Sequence, residues 1–251
     1  MFAILPRRPF LYFFITIILL SPLPFGSNRP LSWSILALIV GVLVFFDFFV
    51  QDGATKSDKI FLRRLAPGIT LFSAATLYMC LQTSQWLPQD WVHPLWHEMH
   101  NLFLIYPVEA KISLDPDATF TAVMRFLLYG GVFWLAAKYS RENETAYLIL
   151  KVSIIAITIY SFYGLIVFFG EFNTILWFDK WAYKGVVTST FVNKNTFATF
   201  AGLGLLVSFT LLFDQLSEKA YSNVTVGHQI RHLIEIIINK AWLPTLGAVF
   251  T

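Results

Sequence analysis

The sequence predicts an all-α fold: a polytopic membrane helical bundle of about six full transmembrane helices plus a truncated seventh. Apolar residues make up 57% of the 251 and charged residues only 13%, about half the ~25% usual in a soluble domain. A soluble globule of this size cannot hide so much apolar surface, because much of its exterior must face water. The apolar residues also gather into stretches close to the ~20 residues that a helix needs to cross a bilayer. Disordered and collagen-like chains are excluded, since they require low hydrophobicity or a strict glycine repeat.

The first span is expected at about residues 10–25. Arg7 and Arg8 precede it as they would precede a signal peptide. The following Ser21-Pro22-Leu23-Pro24-Phe25-Gly26 has no Ala-x-Ala cleavage site, and the next apolar run begins almost at once. A retained anchor is therefore expected. Further spans are expected at 31–50, 66–87, 118–139, 146–170 and 196–213. A seventh begins near Trp242 and has ten residues, Pro244 among them, up to Thr251. That is half a span. Before it, Ile230, Leu233, Ile234, Ile237 and Ile238 recur at i, i+3, i+4, i+7 and i+8, while Arg231, His232, Glu235 and Asn239 take the other face. This is the pattern of an amphipathic helix on the inner surface, at about 229–240. The chain, 1–251, reads as a single transmembrane domain.

Lysine and arginine set the orientation. With the N-terminus inside, the inner segments hold 12 of the 18 basic residues and the outer segments hold five: Arg29, Lys111, Lys180, Lys184 and Lys194. Arg125 is left within the fourth span. The expected arrangement is N-terminus cytoplasmic, with two outer loops at 88–117 and 171–195. Trp91, Trp96, Tyr106, Trp177, Phe178, Trp181 and Tyr183 populate these loops, as aromatic rings do in the headgroup zone.

Few residues offer chemistry. Cys80 is the single cysteine, so an internal disulfide and a cysteine metal cluster are both excluded. The net charge of +3 is small and scattered, which argues against nucleic acid. His93, His97 and His100 lie in one loop patch, but His97-Glu98-Met99-His100 is one residue short of the zinc-protease spacing, and no metal is expected. Asp47 lies near the inner end of its span, where it is expected to reach the interface rather than relay protons. No Walker loop, dinucleotide loop or nucleophile elbow occurs. The middles of spans one, three, five and six carry no ionisable group, unlike an ion-coupled transporter.

Two places remain. Asp117 is a suitable N-cap for the fourth span, and Arg125 follows eight residues later, about 12 Å down the helix. A charge there faces either an anion, such as a lipid-linked diphosphate, or an internal ion pair, or it snorkels to the surface. The second place is the start of the sixth span, where Asn193-Lys194-Asn195 enters the helix after Lys184. Asn195 is a natural N-cap, and a helix N-terminus attracts anions. Lys184, Asn193, Lys194 and Asn195 thus form either a headgroup-phosphate site or a plain cap with a snorkelling lysine.

The stretch Thr190-Phe191-Val192-Asn193-Lys194-Asn195-Thr196-Phe197-Ala198 resembles the O-antigen ligase and polymerase family, whose members carry Gly-Thr-Phe-x-Asn-x-Asn-x-x-Ala where an outer loop enters a membrane helix. Ser189 stands here in the Gly position. Residues 21–30 and 112–119 also resemble that family, and the likeness runs over nearly all of the chain. The resemblance implies a glycosyltransferase of the bacterial inner membrane, acting in lipopolysaccharide and surface polysaccharide biosynthesis. Its donor is an undecaprenyl-diphosphate-linked glycan, and its acceptor is lipid A core, a growing polysaccharide or a protein. No metal or nucleotide cofactor is implied, because the lipid diphosphate is itself the leaving group. The family's working outer loop, with its essential Arg and His, lies in the second half of its members. This chain is expected to correspond to the N-terminal half, and no catalytic base can be carried over. A polytopic protein without chemistry, a permease part or an assembly scaffold, is the alternative.

Overall fold

A computed structural model of the chain describes residues 7–49, 56–86, 88–102, 110–220 and 247. The described chain is almost entirely helical: α1 Arg7–Leu20, α2 Pro30–Phe49, α3 Lys56–Gln82, α4 Leu95–Leu102, α5 Pro116–Tyr139, α6 Asn143–Phe169 and α7 Lys194–Ala220, with a two-stranded hairpin of β1 Thr174–Ile175 and β2 Phe178–Asp179. Among the described residues, five helices (α2, α3, α5, α6 and α7) are long and apolar enough to cross a membrane. The protein is a multi-pass membrane protein with an all-α body.

That number is below the six full spans and truncated seventh expected. The first expected span, 10–25, falls short because α1 stops at Leu20 after 14 residues. Pro22 and Pro24 lack the amide donors that the helix needs to continue, and each constrains the residue before it. Phe25 and Leu23 look like span residues in the sequence, yet they lie in a turn. The expected span 66–87 belongs to a helix that starts at Lys56. Exposed Lys59, Arg63 and Arg64 extend it, being good helix formers that need not enter lipid. The expected helix 229–240 lies outside the described residues, as do Tyr106 and most of the half-span after Trp242. Gly247 of that half-span is described. It lies against Ser208 and Ile154 so closely that a β-carbon would overlap the Ser208 hydroxyl.

The chain divides into two compact units, one built on Ser34–Ala136 and the other on Arg7–Trp33 and Ala137–Thr251. In the first, α5 carries Gly130 against the Phe72 ring of α3, and Gly131 against Val40 of α2. Phe72 stacks on Phe126 at 4.3 Å, and Phe48 stacks on Trp134 at 5.7 Å. Small residues that let side chains and backbones close in are the usual means of helix association in lipid. In the second unit, α6 is the central element. Ile149, Ile154, Ala156, Ile157, Tyr160, Ser161, Gly164 and Val167 of α6 are all buried, under α1, α7 and the loops at one end.

Candidate functional site

Residues 21–30 and 190–198 meet at the α1 end of the second unit, whereas 112–119 belongs to the first. Past Leu20 the chain makes a left-handed turn, with φ of 56° at Phe25, 62° at Gly26 and 54° at Ser27. Left-handed backbone costs a residue with a β-carbon about 1–2 kcal/mol, so tertiary contacts must hold it. Gly26 lies under the Phe191 ring, with no room for a β-carbon. The Thr190 hydroxyl donates to the Pro22 carbonyl at 2.8 Å, and Ser27 donates to the Ser21 carbonyl. Arg29 closes the edge, its guanidinium 4.7 Å from the Trp181 ring and 5.7 Å from that of Phe25.

The other wall is α6. Ser189 Oγ donates to the Tyr160 carbonyl at 2.6 Å, and the Tyr160 hydroxyl donates to the Leu19 carbonyl at 3.0 Å. One tyrosine therefore ties α1 to α6 while its backbone receives the loop. Gly164 makes this close approach possible, since a β-carbon there would stand 3.0 Å from Ser189 Cβ and 3.2 Å from its Cα. Thr188, Ser189 and Thr190 are each 1% exposed, and Ser189 is left-handed with φ 51°. The position where the resembling family has glycine is thus one where this chain's backbone favours glycine.

The cap of α7 is Asn193 rather than Asn195. Asn193 Oδ1 accepts the Asn195 amide at 2.8 Å, and the Asn193 carbonyl accepts from Phe197 at 3.2 Å. Lys194 and Asn195 are exposed in the first turn, so their side chains stand free of the capping role. Lys194 Nζ lies 5.8 Å from the Tyr183 ring, which brings it to the segment that carries exposed Lys184. Four of the expected residues (Lys184, Asn193, Lys194 and Asn195) therefore share one loop-to-helix junction.

Arg125 belongs to the Ser34–Ala136 unit. It is half-buried on α5, with its Nε shielded from solvent. The α5 cap also differs from expectation. Asp115 Oδ1 accepts the Ala118 amide at 2.9 Å, and Pro116 is the first helical residue, where a missing amide donor costs nothing. The resembling segment 112–119 is an anchor as well, since the Ser113 amide donates to Gln82 and its carbonyl accepts from Trp96 Nε1. The expected outer loop around it holds a short helix, α4. His93 precedes α4 and accepts the Leu95 amide at its Nδ1.

Sequence reasoning overlooked Lys180. It is 4% exposed, and its Nζ donates to the Val186 carbonyl at 3.0 Å. Burial lowers its pKa from the ordinary lysine value. Nothing in residue type separates it from exposed Lys184, four residues on. The flanking run Ile175-Leu176-Trp177-Phe178 is apolar, but only Ile175 of it is buried, so the run does not single out Lys180. No family model, curated protein or solved structure matches the chain.

Proposed function

We propose that the chain is O-antigen ligase-like and corresponds to the N-terminal half of such a glycosyltransferase, and that the start of α7 with Lys184, Lys194 and Asn195 holds the diphosphate of an undecaprenyl-linked glycan donor. The observation that carries this reading is the union of two resembling segments. Residues 21–30 and 190–203 lie far apart in sequence, yet Thr190 bonds Pro22 and Phe191 covers Gly26. Between them stands Ser189, left-handed where the family has glycine. Chemistry supports the same assignment. The open amides and dipole of a helix N-terminus favour phosphate oxygens, and fixed lysines stabilise the charge that develops on a diphosphate leaving group. Arg125 is a separate candidate contact for anionic lipid. None of these cations is a general base near neutral pH, so no catalytic base is assigned.

In this reading the site faces the periplasm, the N-terminus is cytoplasmic, and the glycan passes to lipid A core or a growing polysaccharide. Purified protein in lipid nanodiscs, irradiated with a photoactivatable undecaprenyl diphosphate, should be labelled at 184–200. Undecaprenyl diphosphate should compete and undecaprenol should not, and Lys184→Gln with Lys194→Gln should cut labelling roughly tenfold. Equal competition by the uncharged alcohol would leave these lysines as interfacial anchors. Reporter fusions after Tyr183 and Asn101 should read outside, and those after Thr55 and Asn223 inside; a cytoplasmic signal at Tyr183 would overturn the orientation and the site with it.

A further inference from the structure

The uncharged run of α6 is Val152–Phe169, bracketed by Lys151 and Glu171. At 1.5 Å per residue it is about 27 Å long, close to the ~30 Å of a hydrocarbon core. In α7 the uncharged run Asn195–Phe213 is about 28 Å long. The two helices are antiparallel and in step. The Tyr147 hydroxyl donates to the Asp214 carboxylate at one level, and the Tyr160 and Phe200 rings lie 6.2 Å apart at another. The end of the hydrocarbon core is therefore near Phe169 on α6 and near Lys194 on α7.

The loops do not stay above that level. Ser189 bonds the Tyr160 carbonyl, nine residues and about 14 Å before the end of α6. The Leu176 amide at the hairpin tip donates to the Tyr163 hydroxyl at 2.7 Å, and Tyr163 is six residues, about 9 Å, before that end. The turn after α1 lies at the same depth, through Leu19 and Pro22. Raising α6 until Tyr160 met the boundary would pull Glu144 and Lys151 into hydrocarbon, Lys151 near the centre at a cost of about 3 kcal/mol.

We infer that the hairpin Thr174–Asp179 and the turn 187–191 form a re-entrant lip sunk into the membrane, and that its partner is the acyl-chain layer of that leaflet. Irregular backbone survives at such depth only where protein satisfies its polar groups. Here side chains do so. Tyr160 serves the Leu19 carbonyl, Thr190 that of Pro22, Lys180 that of Val186, and Tyr163 the Leu176 amide. In an aqueous loop, water would fill these roles. The burial of Lys180 follows, since its ammonium replaces water at a carbonyl. The charge pattern agrees: the tip Ile175-Leu176-Trp177-Phe178 is apolar, while exposed Glu171, Asp179 and Lys184 lie at the base. Trp177 is 78% exposed, a ring directed at lipid rather than at protein.

Spin labelling of the full chain in phospholipid vesicles tests this without any donor. In a Cys80→Ser background, labels are placed by Trp177→Cys, Phe178→Cys, Lys184→Cys and Leu206→Cys, and collisions with oxygen and with a water-soluble nickel chelate are compared. Leu206 is exposed on α7 well inside its uncharged run and marks the hydrocarbon. The oxygen-to-nickel ratio at 177 should approach that at 206 and exceed that at 184 roughly tenfold. Phe178→Cys gives the same reading should the tryptophan replacement fail to fold. Ratios at 177 and 178 equal to that at 184 would put the lip in water and overturn the inference.

Discussion

In the Ser34–Ala136 unit, helices meet ring on ring and ring on glycine, as Phe72 meets Phe126 and Gly130. In the other unit, loops are stitched to one another and to helices by hydroxyl groups, as Thr190 is to Pro22 and Ser189 to Tyr160. The backbone differs in the same sense. Every described non-glycine residue with left-handed φ (Phe25, Ser27, Glu171, Leu176, Tyr183 and Ser189) lies in the second unit. Lipid rewards plain helices, because a helix satisfies its own backbone and an irregular segment must be satisfied by neighbours. Strained backbone held in place by surrounding structure tends to cluster at functional sites. The contrast gives the second unit its irregular, side-chain-supported backbone and the first its plain helix packing, and the irregular backbone is a reason to test the second unit first, independent of any resemblance.

The largest effect expected is at Gly26. Gly26→Val adds a β-carbon under Phe191 and forces it into left-handed backbone, so conformational strain of about 1–2 kcal/mol joins overpacking of about 1–3 kcal/mol. Gly130→Val in the first unit meets the Phe72 ring but sits in ordinary helix, so only the overpacking remains. Gly41, with nothing within 4 Å of its β position, is the control, and Gly41→Ala should stay within ~1 kcal/mol of wild type. Unfolding by titration with a denaturing detergent would rank the three. Equal losses at Gly26 and Gly130 would erase the distinction between the units.

How far the fold could be read in advance follows the same line. Helices α2, α5 and α6 start and stop within three residues of expectation, because a mostly apolar run flanked by polar and charged residues is also a stretch that lipid can bury. The first span was misjudged because Leu23 and Phe25 are as apolar in a turn as in a helix; only Pro22 and Pro24 carried the warning. The site was half legible. Asn193, Lys194 and Asn195 were read as one junction, but Gly26 and Gly164 matter through residues some 165 and 25 positions away, and no local pattern encodes such partners. Lys180 was hidden for the same reason, since its burial depends on where Val186 folds back.

The buried hydroxyls sharpen the comparison at a smaller scale. Thr190→Val keeps the shape and removes one of the two hydrogen bonds to the Pro22 carbonyl, which keeps the Gly26 amide, a loss of about 0.5–1.5 kcal/mol. Ser189 separates strain from hydrogen bonding. Ser189→Ala keeps the left-handed strain and loses the bond to Tyr160, whose carbonyl keeps its partner within α6, so it should cost about 0.5–1.5 kcal/mol. Ser189→Gly loses the same bond but relieves about 1–2 kcal/mol of strain, and should fall near wild type. If alanine and glycine destabilise equally, φ at 189 is not a constraint and the likeness to the family's glycine loses its physical footing.

The smallest effect distinguishes neighbouring caps, one pair in each unit. Asn193 and Asp115 each accept a first-turn amide through a side-chain oxygen, whereas Asn195 and Asp117 lie inside the first turn. Removing a cap costs about 1 kcal/mol, because an amide with no intrahelical acceptor loses its partner. Asn193→Ala and Asp115→Ala should therefore each lower stability by about that amount, and Asn195→Ala by a few tenths at most. Asp117→Ala forfeits a favourable charge at the positive end of the helix and should cost about 0.3–1 kcal/mol. Function should invert the order in the second unit. Asn195 is exposed beside Lys194 and free of the cap, so Asn195→Ala should weaken labelling by the photoactivatable donor more per unit of stability lost than Asn193→Ala does. If Asn193→Ala weakens labelling more at equal folded protein, the junction binds through its capped amides, and the exposed amide side chain has no part in holding the anion.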